Sequence, residues 1–105
     1  MSSSTASVNG PRRQISERGK EIIYQLLAAR RRIQQLTTYI NNLRMIYNMS
    51  DEHKTAMYQA EQERHNVIDQ EQRMEVILVN QFDLSDAIIR DNIALQSLVP
   101  EYFSY

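Results

Sequence analysis

The sequence predicts an all-α fold, an elongated antiparallel helical hairpin of the coiled-coil type. Three observations predict it. Apolar residues in the first half recur in an unbroken 4-3 spacing at Ile22, Leu26, Ala29, Ile33, Leu36, Ile40, Leu43 and Tyr47. A seam of period 3.5 directs one helix to wrap another rather than lie on a sheet. Glycine and proline number two each and none falls within residues 20–99, so nothing interrupts long helices there. The third observation is charge. Residues 1–50 carry eight cations against two acids, and residues 51–105 carry four against eleven. Complementary halves favour antiparallel pairing, within one chain or between two.

The elements follow in order. Residues 1–11 are Ser/Thr-rich and read as a flexible tail, residues 12–99 as the helical coiled-coil region, and residues 100–105 as an aromatic C-terminal tail. The first helix is expected from about Ile15–Glu17 to about Asn48. Gly19 falls on an a position and should weaken its first turns by up to about 1 kcal/mol relative to alanine. Asn48-Met49-Ser50-Asp51 is the turn signal. Ser50 is a suitable N-cap, and Asp51 and Glu52 place negative charge on the positive end of the second helix. That helix is expected from Asp51 to at least Asn80.

Folding the chain at Met49–Ser50 sets Leu43 against Ala56, Ile40 against Ala60, Ile33 against Val67, Leu26 against Met74 and Ile22 against Ile77. The second row is itself a 4-3 ladder, so two independently spaced seams mesh in one register. The same register brings Arg30 and Arg31 near Asp69. The mesh has flaws, because Glu63 falls opposite Leu36, Gln70 opposite Ala29 and Gln81 opposite Gly19. Burying an unpartnered glutamate is costly, so this face is expected to stay partly wet or to be completed by another chain. Ile23, Leu27, Tyr39 and Ile46 lie off the seam and widen the apolar face of the first helix, which calls for a second packing partner.

Beyond Leu84 the first helix has no residues left to pair. Ile88, Ile89, Ile93, Leu95, Leu98 and Val99 would overhang the hairpin. Two continuations are open. A break at Asp83-Leu84-Ser85-Asp86 could start a short third helix near 86–98 that folds back, or the second helix could run straight on to another subunit. Pro100 stops it in either case.

The absence of cysteine excludes disulfide scaffolds, Cys-ligated zinc and thiol nucleophiles. No uninterrupted apolar run exceeds four residues, the length of Val76–Val79, far short of the ~20 residues of a membrane span. The N-terminus lacks the apolar core of a secretory signal. An intracellular protein, cytoplasmic or nuclear, is the expectation. His53 and His65 lie twelve apart, beyond the i, i+4 spacing of a helical metal pair. The carboxylates of residues 61–75 sit on a polar helix, and no Gly-rich phosphate loop or GxSxG is present. No catalytic, cofactor-binding or metal site is expected.

The sequence therefore points to a non-catalytic scaffold or adaptor subunit of a multi-protein complex. Its partners would be other coiled-coil subunits or a second copy. Ile22, Leu26, Ile33, Leu36, Ile40 and Leu43 would form one contact surface, and Ile88, Ile89, Leu95 and Leu98 a second. The alternative is a nucleic-acid-binding helical dimer using Arg12, Arg13, Arg18, Lys20 and Arg30-Arg31-Arg32. It is the weaker reading. Three consecutive helical residues spread around the helix, and Glu17, Gly19 and Glu21 interrupt the preceding cations. Tyr102 and Phe103 could anchor a partner or cover the end of their own bundle.

Overall fold

A computed structural model describes residues 15–103. Two long helices, α1 (Glu17–Arg44) and α2 (Asp51–Phe82), form an antiparallel hairpin. Two short helices follow, α3 (Asp86–Arg90) and α4 (Asn92–Ser97), and a 3-10 turn at Pro100–Tyr102 closes the described chain. At ~1.5 Å per residue α2 is about 48 Å long. Among the described residues no helix is long and apolar enough to cross a membrane. The expected tail at residues 1–11, together with Arg12, Arg13 and Tyr105, lies outside the described residues.

Local chemistry sets each boundary. The Ser16 hydroxyl accepts from the Gly19 N–H at 3.2 Å, which caps α1, with Glu17 in the first turn. The helix ends at Arg44, short of the expected end near Asn48. Asn48 takes a left-handed conformation (φ 58°), and this turns the chain. Tyr47, the last seam residue, is consequently 89% exposed in the loop. Ser50 caps α2 as expected, accepting from the His53 N–H. Asp83 adopts φ 59°, and the Leu84 N–H turns back to the Leu78 carbonyl, so α2 stops at Phe82. The chain breaks and folds back. The expected single third helix is two, because Asp91 is extended (φ −106°, ψ 103°) and caps α4 through the Ile93 and Ala94 N–H groups.

The core lies far from the turn. Ile22, Ile23, Leu26, Leu27, Leu78, Ile89, Leu95 and Val99 form one buried cluster at the base, where the chain folds back. A smaller one, Leu36, Ile40 and Ala60 with Met57, lies nearer the turn. Gly19 also belongs to the base. A Cβ added there would stand 2.5 Å from the Ile15 methyl and 2.8–2.9 Å from the Phe82 ring. The residue above Gly19 is thus Phe82 rather than Gln81. Its lack of a side chain lets α1 and the end of α2 approach closely.

Ion pairs fasten the two arms, in a pattern that differs from the expected one. Arg30 reaches Glu71 at 3.1 Å and Glu75 at 2.8 Å. Asp69 pairs with Arg73 on its own helix. Glu63 is not buried against Leu36. It lies at the surface, where its two oxygens accept from Arg32 at 2.7 and 2.9 Å. This removes the burial cost that the register seemed to impose.

Candidate protein interface

Helix α1 has three working sides, set by its 100° step per residue. The first faces α2 and buries Ile22, Leu26, Ala29, Leu36, Ile40 and Leu43, with Ile33 half-buried. The expected association seam is thus occupied by the chain's own second helix. The second side carries Ile23, Leu27 and Arg30 and is covered by the C-terminal strap of α3, α4 and the 3-10 turn. Ile89 and Leu95 are buried there, and Ile88 and Leu98 are half-buried against the same cluster. The expected second contact surface is internal too. The extra apolar face of α1 therefore has a partner within the chain, at Ile23 and Leu27.

Polar contacts hold the strap. The Lys20 ammonium donates to Glu101 at 2.7 Å, and Arg30 donates to the Asn92 side-chain oxygen at 2.6 Å. Arg30 thereby ties three helices together. Tyr24 packs on Tyr102 and Phe103, with ring centroids 5.1 and 5.7 Å apart. The two described aromatics of the C-terminal segment thus cover their own bundle. The hydrogen bond with Lys20 holds the Glu101 carboxyl below the ordinary glutamate range, and the same bond raises Lys20.

The third side of α1 is open. Gln25, Ala28, Ala29 and Arg32 face Val67, Gln70, Arg73 and Met74 of α2 across a groove of about 540 Å³. A second hollow of about 380 Å³ continues toward the turn, between Arg32, Gln35, Leu36 and Tyr39 on α1 and Ala56, Gln59, Ala60 and Glu63 on α2. The Arg32–Glu63 pair links the arms at the second hollow, and Arg32 also lines the first. Its hydrogen bonds hold Glu63 below its ordinary value and raise Arg32. The groove exists because Ala28 and Ala29 are short and Gln70 turns to solvent. Two helices with so little volume between them leave a channel along their side. Toward the turn, Tyr39, Met45, Ile46 and Tyr58 add exposed apolar surface.

The sequence placed Val67 and Met74 in the hairpin mesh, opposite Ile33 and Leu26, but marked neither of them, nor Ala28, as part of a surface for a partner. It did mark the place, since the mismatches at Glu63 and Gln70 sit along this trough. Of the described basic residues of the alternative reading, Lys20, Arg30 and Arg32 are engaged within the chain. Arg30 and Arg32 pair with acids of α2, and Lys20 pairs with Glu17 and Glu101. Arg31 and Arg18 are exposed. His53 lies 2.9 Å from the capping Ser50 hydroxyl, and His65 is exposed. Among the described residues no three His, Asp or Glu side chains are grouped to hold a metal ion. Comparison with protein-family models, curated proteins and solved structures finds no match for this chain.

Proposed function

We propose that this chain is a non-catalytic scaffold or adaptor subunit of a multi-protein complex, and that the open flank of its hairpin receives a helix from another chain. One observation carries the reading. The strap closes one flank of the α1–α2 hairpin, whereas the opposite flank keeps a mostly apolar groove between Ala28, Ala29, Val67 and Met74. A third helix in that trough would restore the local packing that two helices alone leave thin. The mechanism differs from association through the seam. Ile40 belongs to the chain's own core, so a charge there would unfold the hairpin rather than test assembly.

A cleaner experiment places a photo-cross-linking residue at Gln25 or Gln70, beside the groove, and a control at Gln72, an exposed position outside its lining. In the native cellular setting, cross-links to another polypeptide are expected from positions 25 and 70 and not from 72. Equal yields from all three positions, or none from the groove, would overturn the proposal.

A further inference from the structure

The geometry points to the chemistry of the groove's occupant: an amphipathic helix with acidic residues on both flanks of its apolar stripe. This inference rests on the proposed docking role of the same groove. Its floor is apolar, made by Ala28, Ala29, Val67 and Met74, and its only charged lining residues are Arg32 and Arg73. One arginine stands on each helix. Arg30 reaching Glu71 and Arg64 reaching Thr37 set the level of the two arms, so Arg73 stands level with about Ala28. The backbone positions of Arg32 and Arg73 are therefore about one turn apart, roughly 6 Å along the axis, on opposite arms.

Both arginines have partners within the chain, and both partners stand off this groove. Glu63 lines the neighbouring hollow and Asp69 lines neither. All four side chains of these pairs are about half or more exposed. Exposed pairs of this kind contribute little and exchange readily. A docked helix could lay an apolar side chain on the alanine floor and offer one carboxylate to Arg32 and another to Arg73. A helix with lysine flanks would set cation against cation on both rims.

The test uses the whole chain and two labelled peptides of about three heptads, long enough to hold a helix when docked. Both carry leucine at a and d. One has glutamate at e and g, and the other lysine. Binding is read by fluorescence anisotropy. The glutamate peptide is expected to bind at least about tenfold more tightly than the lysine peptide, a difference of roughly 1.4 kcal/mol. Joint Arg32→Glu and Arg73→Glu should reverse the order. Ala28→Trp, which fills the groove, should abolish binding while circular dichroism keeps the helical signal.

The failures separate. If both peptides bind equally and Ala28→Trp removes both, the groove is a docking site and the acidic inference is overturned. If neither binds, or Ala28→Trp changes nothing, both the inference and the docking role fall. Light scattering across a concentration series completes the test. Self-association lost in Ala28→Trp would overturn the acidic inference by naming a second copy as occupant.

Discussion

Gly19 shows how one atom's absence shapes the base of the bundle. Its place on the seam reads as a weak point, because glycine within a helix costs up to about 1 kcal/mol relative to alanine. The structure reverses that reading, since Phe82 and Ile15 occupy the space a methyl group would need. Gly19→Ala is expected to destabilise the chain by about 1–2 kcal/mol, because overpacking outweighs the gain in propensity. Urea unfolding decides it, and an increase in midpoint would show that the Phe82 ring simply swings aside. The reversal was invisible in sequence because Phe82 reaches Gly19 only after α2 has returned along the whole of α1. The Lys20–Glu101 pair belongs to this scale as well. A carboxyl held low contributes stability above its unfolded value of about 4.3, and that contribution is lost as pH falls through the folded value. An ammonium held high contributes below about 10.4 in the unfolded chain, and its share is lost as pH rises through the folded value. The strap should therefore be best tethered between those limits and loosen beyond either. Ring-proton shifts of Tyr102 and Phe103 should move on acidification from pH 7 to 3, and static shifts would show that the pair does not hold the strap.

Caps decide the elements more firmly than the seams do. Ser16, Ser50, Ser85 and Asp91 each accept a hydrogen bond from a backbone N–H two or three residues on, and each opens a helix. The start of α2 was legible for this reason, because capping is written in local sequence, and the same chemistry made a break near Asp83–Asp86 one of two open continuations. The end of α1 was not. The seam continues through Tyr47, and only the left-handed turn at Asn48 shows that the loop takes this last seam residue. The split between α3 and α4 was hidden too, since Asp91 within an apolar stretch reads equally as a surface residue of one longer helix. At six residues α4 is far below the ~12–15 at which a helix begins to stand alone. Asp91→Ala is thus expected to cost about 1 kcal/mol and to free α4 before the hairpin melts. Faster amide exchange at Leu95 and Val99, with Leu26 unchanged, is the expected signature. Equal protection in both would show that packing alone holds the strap.

At the scale of the whole molecule, the all-α hairpin and its pairing of basic and acidic arms were readable in the sequence, and the strap was one of two continuations. The candidate site was legible only in negative, as the stretch where Glu63 and Gln70 spoiled the mesh. Volume between helices depends on the side chains of both arms at once, so no single row of residues announces it. Most buried side chains gather at the base, and near the turn only Leu36, Ile40 and Ala60 with Met57 cluster together. In an ordinary hairpin the turn closes first and guards the ends. Here the residues that bind most strongly are those farthest apart in sequence, so loop closure is slow to be rewarded. Local opening should then start at the turn, with Leu43 and Ala60 exchanging their amide hydrogens faster than Ile23, Leu26 and Leu78. The covalently closed end of the hairpin should thus be the looser one, and the open end, clasped by the strap, the firmer.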